Sequence, residues 1–281
     1  MTDFDIAPAF LDSPQGRIFV IHRYPHAQHV RQGVVLIPPF AEEMNCSRRM
    51  LTLLAEALAV NGCHVVLPDF FGTGDSEGEF SEASWCGWLE QLGCCVEDLQ
   101  TTYAIEHYSV VAVRAGALLA ADYIEQSHHK PEKLVLWQPA VDGAAYLSQF
   151  LRLRLVSDML SGGKDQNSVS SLKKELVAGE MVEVAGYALT SAVSDGLSKA
   201  ALKHIPHGCF PSTCWLECMA SEGQESPPVT RTLLQELKVA GIDVQHAVTI
   251  GAPFWNTAEI VENHDMIIKT LGFICGDSRG A

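Results

Sequence analysis

Short, wholly apolar runs alternate along this chain with longer stretches whose apolar residues recur at helical spacing. Gly33-Val34-Val35-Leu36-Ile37 ends at Pro38-Pro39, His64-Val65-Val66-Leu67 ends at Pro68, and Val110-Val111-Ala112-Val113 and Lys133-Leu134-Val135-Leu136-Trp137 follow. Runs this short, rich in β-branched residues and lacking polar alternation, predict strands covered on both faces. Between them, residues 50–60 carry apolar positions at helical spacing with Asn61-Gly62 as a stop, 85–105 read as a second helix, and Ala117-Leu118-Leu119-Ala120-Ala121 opens a third. Strand, helix, strand in this order predicts right-handed crossovers and a parallel sheet.

Residues 17–22 alternate loosely after Pro14-Gln15-Gly16 and predict an early edge strand. From 141 to 207 the pattern is helical, with a polar break at 161–167; a strand resumes at 212–217, a helix at 229–240, a strand at 244–250 and a helix at 257–272. There is no internal repeat or low-complexity stretch. The expected fold is α/β: one domain over 1–281 with a doubly wound, mostly parallel sheet and a helical cap inserted at 141–207.

Composition narrows the function classes. The chain has 281 residues, 47% hydrophobic and 19% charged, enough to bury a large core. A net charge of -15 argues against nucleic acid and anionic membrane surfaces, both of which require concentrated Lys and Arg. Nine cysteines, an odd number without C-x-x-C pairs, follow a start (Met1-Thr2-Asp3-Phe4-Asp5) with no basic-then-apolar leader. Thiols in a reducing, cytoplasmic compartment are expected. No apolar run reaches the roughly 18 residues of a membrane span.

The stretch from Tyr108 to Gly116 reads as strand, sharp turn and helix start. Nucleophile elbows of the G-x-S-x-G type need small residues two before and two after the nucleophile, because the strained turn brings their Cα atoms together. Ala112 and Gly116 are those small residues, and between them stands Arg114. On this organisation the chain resembles the α/β-hydrolase superfamily over nearly its whole length. It resembles more narrowly the exosortase A system-associated hydrolase 2 group, through Pro38-Pro39-Phe40-Ala41-Glu42-Glu43-Met44-Asn45, Ser47-Arg48-Arg49-Met50, Arg114-Ala115-Gly116-Ala117, Leu136-Trp137-Gln138-Pro139, Phe150-Leu151-Arg152, Gly186-Tyr187 and Pro253-Phe254-Trp255. Ala112 and Ala252 depart from that group's pattern, which favours a glycine and an acidic residue there. The resemblance implies a bacterial cytoplasmic protein associated with a system that sorts exported proteins and with exopolysaccharide production. It implies no substrate and no cofactor.

A hydrolase of this fold needs a nucleophile on the elbow, an acid after a later strand, a histidine after the last strand and an oxyanion hole. The permanently protonated guanidinium of Arg114 cannot attack a carbonyl. Gly251-Ala252-Pro253-Phe254-Trp255-Asn256, the loop where the histidine belongs, contains none; His246 precedes it and His264 follows it. Glu222 and Asp142 follow strands and could supply an acid. Backbone amides of Phe40 or Ala41, with that of Ala115, could line an oxyanion hole, but Glu42 and Glu43 bring negative charge beside it. Gly74-Asp75-Ser76-Glu77-Gly78 matches G-x-S-x-G in letters only: it lies in a loop before Trp85, where a turn or hydrogen-bonding role for Ser76 is expected. Cys46 and the Cys94-Cys95 pair are alternative thiols without a paired histidine. His22, His26, His29, His128, His129, His204 and His207 show no metal-ligand spacing, so no metal is expected, and Trp85 with Trp88 reads as core.

Arg114 then has two readings. Either Glu42, Glu43 or Asp69 pairs with it internally, or it meets an anionic ligand at the start of a helix, where the dipole and the guanidinium fork act together. The ligand-binding set would be Arg114, Ala115, Phe40, Ala41, Glu42 and Glu43. Three functions fit: a protein that has lost the serine-type nucleophile and binds a small anionic or acylated ligand in the old pocket; an active esterase, thioesterase or acyltransferase using a nucleophile off the elbow such as Ser76 or Cys46, Glu222 and His264 being the further catalytic candidates; or a scaffold whose cap docks on export or polysaccharide machinery.

Overall fold

The computed structural model describes residues 3–26, 30, 32–160, 168–257 and 259–276. His29 and the polar break at 161–167 lie outside the described residues. In chain order the strands are β1 (Phe4–Leu11), β2 (Ile18–Pro25), β3 (Gln32–Ile37), β4 (Cys63–Pro68), β5 (Tyr108–Val113), β6 (Lys133–Trp137), β7 (Val182–Val184), β8 (Tyr187–Leu189), β9 (Ser212–Met219) and β10 (Val244–Ile250). The helices are α1 (Glu42–Val60), α2 (Trp85–Thr101), α3 (Gly116–Gln126), α4 (Gly143–Leu160), α5 (Val169–Val177), α6 (Ser191–Lys199), α7 (Pro228–Val239) and α8 (His264–Cys275).

Eight strands form one sheet in the order β1-β2-β4-β3-β5-β6-β9-β10. β1 and β2, and β2 and β4, pair antiparallel; the remaining neighbours are parallel. Because successive side chains leave a strand on opposite faces, each central strand feeds two cores. Val34 and Leu36 of β3 pack with Met50, Leu54 and Met266 of α1 and α8, while Val35 and Ile37 pack with Leu92, Leu118 and Leu119 of α2 and α3. Every residue of β3, β4 and β5 is buried. This is the doubly wound α/β sheet expected from the apolar runs.

Four local readings need correction. β1, which contains Pro8 and Asp5, lies outside β2, so β2 is not the edge strand. α1 begins at Glu42 rather than at 50, so Glu42 and Glu43 are first-turn helix residues instead of loop residues; acidic side chains at a helix N-terminus complement its dipole. α2 stops at Thr101, short of 105. α8 starts at His264 instead of 257, where the Asn263 side chain accepts from the Met266 amide and caps the helix.

The segment between β6 and β9 is helical only in part. Besides α4, α5 and α6 it contains the antiparallel hairpin β7–β8, turned by Ala185 and Gly186, both at positive φ. Asp142 accepts a hydrogen bond from the Ala145 amide (2.8 Å) and bridges to Ala201, tying the two ends of the segment together. It thus caps α4. Through Tyr146, Leu147 and Phe150, α4 joins the core above the elbow.

Candidate functional site: a cation on the elbow

At the end of β5 the chain turns through Arg114 at φ 55°, the left-handed region, and enters α3 at Gly116. For a residue with a side chain this conformation costs on the order of 1–3 kcal/mol. The Arg114 amide donates to Trp137 O (3.0 Å) and its carbonyl accepts from the Ala140 amide (3.0 Å), so the tip is fixed to the end of β6. Gly116 makes the turn possible: a Cβ there would lie 2.6 Å from Pro38 O and 2.9 Å from Ile37 O. The geometry is that of a nucleophile elbow, with a guanidinium in place of the nucleophile.

That guanidinium is fully engaged. Nε donates to both Glu43 oxygens (3.2 and 3.3 Å), Nη2 to Glu43 Oε1 (3.1 Å) and Nη1 to the carbonyl of Gln138 (3.2 Å). The rings of Trp255 and Tyr146 lie 5.2 and 5.8 Å from its central carbon, within cation–π range. Tyr146 donates its hydroxyl to Glu43 Oε2 (2.9 Å). Burial, and secondly the Glu43 charge, hold the Tyr146 hydroxyl well above the ordinary phenol range, so it stays a donor. The side chains of Arg114 and Glu43 are only 16% and 11% exposed. Of the three acids weighed for Arg114, Glu43 is the partner; Asp69 instead pairs with Arg48 (3.1 Å). Glu42 is left with a buried oxygen that has no hydrogen-bond partner among the described residues, and burial raises its carboxyl above the usual range.

Space at the elbow is scarce. Ala115 and Gly116 share with Phe40, Ala41, Met44 and Trp88 a cavity of about 30 Å³, room for about one water. Phe40 fills the rest: its ring meets those of Phe150 (5.0 Å), Phe80 (5.7 Å), Trp88 (6.1 Å) and Tyr146 (6.2 Å). Ala41, at φ 51° and ψ -128°, bends the chain from β3 into α1 and thereby sets Glu43 opposite Arg114. On the far side of Gln138 a wider cleft of about 450 Å³ opens, lined by Gln138, Cys218, Ser226, Arg231, Gly251 and Pro253.

The other candidates lie apart from the elbow. Ser76 accepts from the Phe19 amide (2.7 Å) and donates to Asp69 O, which fastens its loop to β2. Glu222 sits in an exposed bend after β9, and exposed His264 pairs with Glu262 (3.0 Å) at the start of α8. Cys46 lies on the half-buried side of α1. Among the described residues no histidine is hydrogen-bonded or ion-paired to Ser76, Cys46, Glu222 or Arg114. His246 instead meets Glu217 (2.8 Å), which also accepts from Ser226; the acid lies between serine and histidine, so the imidazole is not hydrogen-bonded to the hydroxyl. Among the described residues there is also no group of three or more His, Cys, Asp or Glu arranged for a metal.

Tyr146, Gln138 and Trp255 were not in the expected site. Gln138 and Trp255 stand within motifs singled out in the sequence, but an aromatic ring beside a cation carries no motif of its own. Trp255 occupies the loop after β10, where a catalytic histidine is expected.

The model of the serine aminopeptidase S33 family (Hydrolase_4) matches residues 28–206, more than half of the chain. The chain belongs to this family. No functionally curated protein matches it. Among solved structures it is similar to Est1E from Butyrivibrio proteoclasticus with ferulic acid bound (TM-score 0.66, 11% identity, 94% of this chain and 97% of that one). It is similar also to the hypothetical protein PA2218 from Pseudomonas aeruginosa (TM-score 0.62, 13% identity, 97% and 94%). A third is XC6422 from Xanthomonas campestris, an α/β serine hydrolase without a lid (TM-score 0.55, 14% identity, 95% and 91%). At these identities the likeness shows a shared α/β-hydrolase fold. This S33-family member therefore has the family's scaffold, with an ion pair at the elbow. Among the described residues no helix is long and apolar enough to cross a membrane.

Proposed function

We propose that this α/β-hydrolase-family protein does not cleave esters or peptides by a serine mechanism and instead binds an anionic or acylated ligand at Arg114. One observation carries the reading: the fork of Arg114 is aimed at a carboxylate, that of Glu43, from the position of a nucleophile. Glu43 acts as an internal stand-in, and a ligand carboxylate or phosphate replaces it when α4 lifts Tyr146 away. The cavity beside Phe40 is lined mainly by apolar side chains and has room for about one water, so an acyl chain enters there only with the same movement of α4. In the same proposal the protein is cytoplasmic and of the exosortase-associated type, which rests on the motifs around Pro38, Arg114, Gln138 and Trp255.

The test pairs activity labelling with ligand screening. A fluorophosphonate and iodoacetamide, read by mass spectrometry, should leave Ser76 and Cys46 without stoichiometric label. Fatty acids, dicarboxylates and sugar phosphates are screened by thermal shift; Glu43→Gln, which frees the fork, should enlarge the response and Arg114→Ala abolish it. Stoichiometric labelling of one serine would overturn the reading.

A scaffold function has its own support on α4. Leu153, Val156, Met159 and Leu160 are exposed, as are Val177 and Met181 nearby, and the first, second and fourth recur at helical spacing on one side. The partner that fits is an apolar helix of another protein. Leu153→Glu with Leu160→Glu should abolish its co-purification with the full chain, leaving the melting temperature unchanged; retention of the partner would overturn this second reading.

A further inference from the structure

At the opposite end of the sheet from the elbow, two thiols face each other. Cys63, fully buried, opens β4, and Cys275, partly exposed, closes α8; their Sγ atoms are 3.7 Å apart. Their approach is built into the fold. Gln32 lies beside Cys63 in the parallel β3–β4 register and its Nε2 donates to Ile274 O (3.1 Å). Lys133, at the start of β6, donates from Nζ to Phe273 O and Ile274 O (2.9 Å each). Both side chains satisfy carbonyls that the end of a helix leaves open. The last turn of α8 is thereby pinned over the starts of three strands, with Cys275 set against Cys63.

We propose that Cys63 and Cys275 are a modification site, a dithiol that closes to a reversible disulfide and locks the last helix to the sheet. The oxidant is a small-molecule disulfide of the glutathione class. Cys275, the more accessible, loses its proton to solvent, and its thiolate attacks the reagent, forming a mixed disulfide and releasing one thiolate. The Cys63 thiol then gives up its proton and its sulfur attacks that of Cys275, expelling the second thiolate. Two protein thiols lose two electrons, and the reagent becomes two thiols. Closing to a bond of about 2.05 Å requires the sulfurs to approach by about 1.7 Å, a side-chain rotation with a small shift of the helix end. The residues joined are 212 apart in the chain, so the cross-link restricts the unfolded state strongly.

The full chain is incubated with oxidised glutathione at about pH 8, unfolded in urea with N-ethylmaleimide, digested without reduction and mapped by mass spectrometry. The expected product is one peptide pair joined through Cys63 and Cys275, cleaved by dithiothreitol, with the melting temperature raised by about 5–10 °C until reduction. In Cys63→Ser, Cys275 should carry glutathione instead, and in Cys275→Ser no cross-link should form. Exposed Cys86 reports that the reagent acted. If Cys86 is modified while Cys63 and Cys275 are recovered alkylated, or if Cys275 joins another cysteine, the proposal is overturned.

Discussion

Two buried polar clusters sit in this molecule and solve the same problem in opposite ways. At the elbow, Arg114 and Glu43 form an ion pair in a nearly dry pocket, where each supplies hydrogen bonds the other lost with water, and Tyr146, Gln138 and Trp255 complete the shell. Between β2 and β4, His22 and His64 are each 1% exposed, with His22 Nδ1 3.0 Å from His64 Nε2 and His22 Nε2 3.5 Å from Asp98. Tyr24 stacks on His64, and Tyr103 meets it edge-to-face at 4.1 Å. Burial, and secondly the neighbouring His22, push His64 down to about 4. Burial lowers His22 too, against the opposing pull of Asp98. One cluster keeps its charges by pairing them, and the other stays buried by giving its charge up. The first is therefore vulnerable to losing a partner, the second to gaining a proton.

Removing a partner tests the first half. Glu43→Ala leaves the Arg114 cation without its counter-charge and should destabilise the protein by about 3–5 kcal/mol in urea unfolding. Replacing both, as Glu43→Leu with Arg114→Met, should cost far less than the single change, because an apolar pair of similar volume needs no compensation. A single-mutant cost below about 1 kcal/mol would mean that water already screens the pair.

Adding a proton tests the second half. A histidine whose pKa is lower folded than unfolded binds fewer protons in the native state, so its stabilisation is complete above the ordinary 6.5 and is lost as pH falls toward the folded value. For His64 that window runs from about 6.5 to about 4, and at about 1.4 kcal/mol per unit the loss reaches about 3 kcal/mol. Urea midpoints measured from pH 7.5 to 4 should fall along this slope, and His64→Phe should flatten it. An unchanged slope in that variant would assign acid sensitivity to other groups.

Legibility in the sequence differed between such places for physical reasons. The central strands were plain because both faces are covered, which leaves an unbroken apolar run such as Val34-Val35-Leu36-Ile37. The strand-to-helix turn at Arg114 is legible because Ala112 and Gly116, the small residues a tight turn demands, bracket it. β1 was missed because an edge strand is half exposed and carries Pro8 and Asp5, features that keep edges from pairing further. The first turns of α1 were read as loop because Pro38-Pro39 precedes them and two glutamates open them, although acids suit a helix start. Trp255 and Tyr146 reach the elbow from segments 141 and 32 residues downstream of Arg114, and the His22–His64 contact crosses from β2 to β4. Contacts of that kind arise from topology, and no local pattern encodes them.

The sharpest test of the elbow is the change expected to do least. Arg114→Ser restores a serine to a turn whose backbone already has the nucleophile geometry, and Glu43→Gln beside it removes the carboxylate that would otherwise be left unpaired. A serine hydroxyl becomes a nucleophile only when a base takes its proton. The loop after β10 offers Trp255 there, and among the described residues no histidine is hydrogen-bonded or ion-paired to Arg114. The double variant should therefore stay unlabelled by a fluorophosphonate over hours, as is expected of the parent, while keeping a cooperative unfolding transition that shows the fold intact. Stoichiometric labelling of Ser at position 114 would reveal a base the arrangement does not present, and the cation would then be the single substitution separating this chain from an active hydrolase. Its absence would mean that the histidine loop and the elbow have both departed from catalysis, so that regaining activity needs changes on two strands at once.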